Sequence, residues 1–101
     1  LTLMSANKKF FELQDLILIK TSIEKVLLHL NDRKEKTVFS WVNRELSGLW
    51  RMKDDDIKQD IQELKQYIQS EDYEKTKIKI LEIKSKIEGK IDKLYKEMLN
   101  Y

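Results

Sequence analysis

With 101 residues, 38% of them charged, a net charge of +2 and 17 lysines against 3 arginines, the chain reads as one small, well-solvated domain with a modest core, not a dedicated polyanion binder. The absence of cysteine excludes a disulfide framework, a thiolate nucleophile and a Cys-type zinc site. The longest aliphatic run, Leu16-Ile17-Leu18-Ile19, is far too short to cross a bilayer, and LTLMSANKKFF at the start lacks a leader pattern, so a cytoplasmic protein without a membrane span is expected.

Apolar residues recur at helical spacing and sustained strand-like alternation is absent, which predicts an all-α fold. Ser5 is a candidate N-cap for a first helix. Its apolar positions form one stripe at Ala6, Phe10, Leu13 and Ile17, overlapped by a second at Leu16, Ile19, Ile23, Val26 and Leu30. Two stripes give this helix an apolar face suited to several neighbours or to a second copy of itself. Residues 31–36, NDRKEK, break the pattern, and Asp32 with Glu35 has the spacing of a capping box. A second helix then runs to about Lys53.

Asp56 with Gln59 repeats the capping-box spacing ahead of Ile57, Ile61, Leu64 and Ile68. The stripes of the second and third segments differ by only roughly 60 to 70°, so the two could join as one kinked helix; a break at the aspartates is preferred. A straight helix through Ser70 would rotate the apolar face by roughly 110°, which predicts a turn near QSED. The last helix carries Tyr73, Ile80, Ile83, Ile87, Ile91, Leu94, Met98 and Tyr101 on one face, with Gly89 opposite. The expected architecture is a small antiparallel helical bundle of four segments, a single domain over residues 1–101. It becomes a three-helix bundle if residues 33–69 form one continuous helix.

Charge is partitioned along the chain. Residues 1–53 carry ten basic and six acidic side chains, 54–71 two and six, and 72–101 eight and six. An acidic middle therefore separates two mildly basic ends.

Catalytic chemistry finds little support. His29 is the only histidine and no Glu-x-x-His pair exists, so a carboxylate-bridged metal bundle has no ligand set; near a helix C-terminus the imidazole reads as a terminus-stabilising group. Asp54, Asp55 and Asp56 lack the alternating spacing and glycine of a calcium loop. Glu45 projects within the apolar arc of the second helix, where it is either a perturbed acid or the partner of an indole N–H or a lysine. No enzymatic activity, cofactor or metal is expected.

FSWVNRELSGLWRM, residues 39–52, holds both tryptophans. Helical projection centres an apolar arc on Val38, Val42, Leu46 and Leu49, with Trp41 and Trp50 at its opposite borders. Trp50 continues the core with Phe39. Trp41 adjoins Met52, the side-chain-free Gly48, and Arg44 and Arg51, a composition typical of interface hot spots. The alternative is that Gly48 lets a helix of the same bundle pack on Trp41.

The function expected is a non-enzymatic protein–protein interaction module, an accessory subunit or homo-oligomer, with Trp41, Arg44, Gly48, Arg51 and Met52 as partner-binding residues. A second reading is an accessory nucleic-acid-binding protein whose Lys75, Lys79, Lys86, Lys90 and Lys93 share one flank of the last helix. Glu82 and Glu97 on that flank, and the lack of stacking aromatics there, favour an ordinary solvated face. Membrane-surface binding fits poorly, because the polar faces carry both signs of charge.

Overall fold

Helix α1 spans Leu3–Asp32, α2 Val38–Glu45, α3 Ser47–Trp50, α4 Lys58–Gln69 and α5 Tyr73–Leu99. These belong to a computed structural model that describes residues 3–32 and 35–99, and no strand occurs among the described residues. The all-α bundle expected from periodicity is the observed fold. α1 and α5 form the long layer and run antiparallel, as the ion pairs Lys9–Glu97 and Lys20–Glu88 require. At about 1.5 Å per residue, 30 residues reach about 45 Å, close to the 49 Å long axis of the molecule.

The second layer is much shorter. α2 packs on α1 and α4, α3 on α1, and α4 on α5. Between them these short helices cover one end of the α1/α5 pair. Ile23, Val26 and Leu30 of α1 meet Val42, Leu46, Leu49, Ile57, Leu64, Ile80, Ile83 and Ile87 in one fully enclosed cluster. Each such side chain contributes about 1.5–3 kcal/mol on burial.

Three expected caps are not formed. Ser5 lies inside α1 and not at its head. Asp32 is the last residue of α1, so it cannot open α2; instead Val38 N–H donates to the Glu35 carbonyl and Phe39 N–H to that of Lys36. The break read at residues 31–36 does fall between α1, which ends at Asp32, and α2, which begins at Val38. At the third site, Ile57 occupies the N-cap position, the Asp54 carboxylate accepts Asp56 N–H, and Gln59 turns to Glu63. Ile57 is fully buried, and that burial sets the helix entry in place of a side-chain cap.

The chain does break at the aspartates, so residues 33–69 are not one helix. A smaller interruption falls at Leu46, where φ is −87° and ψ is 18°. Leu46 N–H still donates to the Val42 carbonyl and Trp50 N–H to that of Leu46. α2 and α3 therefore act as one distorted segment, which preserves the four-segment count.

The predicted turn after Ser70 is present and well made. Asp72 N–H donates to the Tyr67 carbonyl and Glu71 N–H to that of Ile68, the double closure of a Schellman motif. It places Glu71 at φ 54°, a left-handed conformation that costs a residue bearing a Cβ. The Asp72 carboxylate then accepts Lys75 N–H and caps α5. Along α5, Ile80, Ile83, Ile87 and Leu94 are buried, while Tyr73, Ile91 and Met98 are partly buried against the core. Tyr101 lies outside the described residues. Thr76 is also buried, and its hydroxyl has no hydrogen-bond partner among the described residues.

Candidate functional site

α2 and α3 run antiparallel along one side of α1, and the contacts between them decide the fate of the tryptophan edge. The Trp41 ring lies against His29, with centroids 4.1 Å apart and planes inclined by 32°. One turn on, Lys25 pairs with Glu45 at 3.8 Å. Further along, a Cβ placed on Gly48 would sit 3.4 Å from Ile19 Cγ1. Gly48 thus lets Ile19 of α1 approach closely on one side of the notch. Glu45 takes the lysine-paired role. His29 lies in the last turn of α1, and its Nδ1–H donates to the Lys25 carbonyl at 3.0 Å.

The five expected partner-binding residues do not form one patch. Trp41 is half-buried beside a cavity of about 230 Å³ lined with His29, Glu35, Thr37 and Val38. Gly48, Arg51 and Met52 line a separate open groove of about 410 Å³ with Asp15, Leu18 and Ile19 of α1. Arg44 and Arg51 are exposed, and neither has an ion-pair partner among the described residues. Trp50 is half-buried against the core to which the buried Phe39 belongs; its Nε1–H donates to the Asn43 carbonyl at 2.8 Å, and Lys65 Nζ lies 5.3 Å from its ring centroid.

The lysine flank of α5 is held by the acidic middle of the chain. Lys79 Nζ reaches Glu63 and Glu82 at 2.8 Å and Asp60 at 3.2 Å, with its side chain only 12% exposed. Glu63 and Glu82 chiefly, helped by Asp60, hold it protonated above the usual lysine range against the opposing effect of burial. Lys86 reaches Asp60 at 2.6 Å, and Lys90 reaches Asp54 at 2.7 Å and Asp56 at 3.0 Å. The Lys90 hydrogen bond holds the Asp54 carboxyl below its ordinary range, outweighing burial, and raises Lys90 in turn. Lys75 lies 5.8 Å from the Tyr67 ring centroid, and Lys93 is exposed. The charge partition seen along the sequence is therefore an intramolecular pairing that helps dock α4 on α5.

The wide apolar face of α1, read from periodicity as suited to several neighbours or to a second copy, carries most of the exposed large apolar side chains among the described residues. Phe10 and Ile17 of its first stripe face solvent at 46% and 37% exposure, together with Phe11, Leu18 and Leu28 at 61%, 66% and 63%. Projection at about 100° per residue puts Gln14 and Thr21 on the crest of this outer face, Phe10, Ile17 and Leu28 on one flank, and Phe11 and Leu18 on the other. The Phe10 and Phe11 rings meet edge to face at 5.9 Å. Of the two stripes, only the arc from Leu13 and Leu16 through Ile19, Ile23, Val26 and Leu30 is buried. The unusual breadth of apolar spacing was the available signal, although it did not single out Phe11, Leu18 or Leu28. On α5, exposed Ile78 and Leu81 lie near one end and Tyr95 and Leu99 near the other.

Among the described residues no group of three or more His, Asp or Glu side chains could hold a metal ion, and no helix is long and apolar enough to cross a membrane. Comparison with protein-family models, curated proteins and solved structures finds no match to this chain.

Proposed function

We propose that this chain is a non-enzymatic protein–protein interaction module, an accessory subunit or homo-oligomer. It docks through the outer face of α1 and the adjoining groove. The observation that carries this reading is the set of five large apolar side chains exposed along one face of a single helix. Singly scattered exposed apolar residues are normal on a soluble surface, whereas here five lie on the same side of one helix, flanking the polar Gln14 and Thr21, and such concentration is a mark of an interface. Leu18 belongs both to that stripe and to the groove lined with Gly48, Arg51 and Met52. The unpaired Arg51 and exposed Asp15 and Lys25 supply a polar rim, as interfaces commonly have. The site thus shifts from Trp41 toward Leu18, keeping Gly48, Arg51 and Met52 at its border.

The test uses immobilised wild type, Leu18→Glu and Arg51→Glu side by side in nuclease-treated lysate. A protein retained by wild type and lost by Leu18→Glu supports the reading. Identical retention by all three overturns it. The nucleic-acid alternative is weakened by the engagement of Lys79, Lys86 and Lys90 with α4 and its preceding turn. It predicts retention on DNA or RNA that falls steeply with salt and is lost on charge reversal at Lys86 and Lys93.

A further inference from the structure

We infer that the occupant of the outer face of α1 is a second copy of this chain, packed antiparallel along α1. The inference rests on the interaction-module reading and names its partner. Asn7, Phe11, Gln14, Leu18, Thr21, Lys25 and Leu28 follow one another at alternating steps of four and three, the repeat of a helix–helix seam. All lie on the side of α1 turned away from its buried arc. A seam of that length fits another long helix, and α1 itself supplies one.

The face is complementary to itself in one direction only. Turned antiparallel, with facing residue numbers summing to about 39, Phe11 meets Leu28 of the second copy, Leu18 meets Thr21, and Gln14 meets Lys25. Phe11 and Leu28 then pack at both ends, Gln14 meets Lys25 inside them, and at the centre Leu18 packs on the methyl-bearing Thr21. On the flank nearest α2, Asp15 comes beside Lys25 of the other copy, and two-fold symmetry makes that opposite-charge contact twice. A parallel pairing in register would instead set Lys25 on Lys25. At roughly 200 Å² for a large apolar side chain, the exposed fractions of the five residues sum to roughly 500 Å² per chain. With the intervening polar residues this approaches the roughly 800 Å² per partner of a standard interface.

The experiment is sedimentation of the full chain from micromolar to submillimolar concentration, where a reversible dimer is expected. Phe11→Glu and Leu18→Glu should be monomeric, with helix content unchanged, because both side chains are exposed. Lys25→Asp should weaken association about tenfold, and Asp15→Lys added to it should restore most of the loss. Since the chain has no native cysteine, a mixture of Gln14→Cys and Lys25→Cys chains should form the mixed disulfide, while neither forms one alone. Cross-linking of Gln14→Cys to itself would overturn the antiparallel register. A strict monomer at every concentration overturns the dimer; if Leu18→Glu still abolishes lysate retention, the interaction module stands with another occupant, and if retention is unchanged both readings fall.

Discussion

Asp60, on the first turn of α4, receives Lys86 Nζ at 2.6 Å and Lys79 Nζ at 3.2 Å. Distance favours Lys86, but burial favours Lys79, whose side chain is 12% exposed against 47% for Lys86. An attraction strengthens several-fold as the effective dielectric falls from that of water toward about 20, so the longer contact should be the stronger one. A hydrogen bond to a charged group contributes about 1.5–3 kcal/mol and an exposed pair about 0.2–1 kcal/mol. Lys79 keeps Glu63 and Glu82 when Asp60 is removed, which places its share at the lower end. Asp60→Ala should therefore cost about 2 kcal/mol at neutral pH, roughly 8–16 °C in Tm for a domain of this size. Urea denaturation of double-mutant cycles should give a coupling of about 1 kcal/mol or more between Asp60→Ala and Lys79→Met, and about 0.5 kcal/mol or less between Asp60→Ala and Lys86→Met. The opposite order would refute the argument that burial outweighs distance. Acid provides a second check. Burial alone would raise the Asp60 carboxyl, but the hydrogen bonds from Lys86 and Lys79 outweigh it and hold it below its ordinary 3.8. Its contribution is thus present above that value and lost as pH falls through the lowered one, so wild type and Asp60→Ala should converge in strong acid.

Three further substitutions probe the backbone and the core. Gly89→Ala should stabilise the protein by about 0.5–1 kcal/mol, since the residue lies inside α5 and a Cβ there meets nothing within 4 Å. An unchanged urea midpoint would show that α5 is not helical there in solution. Glu71→Gly should stabilise by about 1 kcal/mol by relieving the left-handed residue of the Schellman turn, whereas Glu71→Ala should bring no gain. Thr76→Val should raise Tm, the expected gain being about 1 kcal/mol, because it replaces a buried hydroxyl that has no partner among the described residues with a methyl group. A loss on Thr76→Val would mean that the hydroxyl is bonded.

What the residues determined unaided was local. Helical spacing left one kinked helix open at the aspartates, where only the fold showed the break, but it was enough for the all-α class, for a break at Ser70, for the opposed borders of Trp41 and Trp50, and for Gly89 on an outer face. These follow from the geometry of one helix at a time. The capping boxes failed at Asp32, which closes α1 instead of opening α2, and at Asp56, where Ile57, buried in the assembled core, takes the N-cap position. The projection placed Gly48 at an edge correctly, yet only the approach of Ile19 showed which neighbour the edge receives. The lysine flank looked available for phosphates until α4 folded its carboxylates onto it. Two apolar stripes on α1 were legible, but their fates depended on a second layer too short and too narrow to cover both. Periodicity states how much of a helix is apolar; the number and length of its neighbours decide which part is left for a partner.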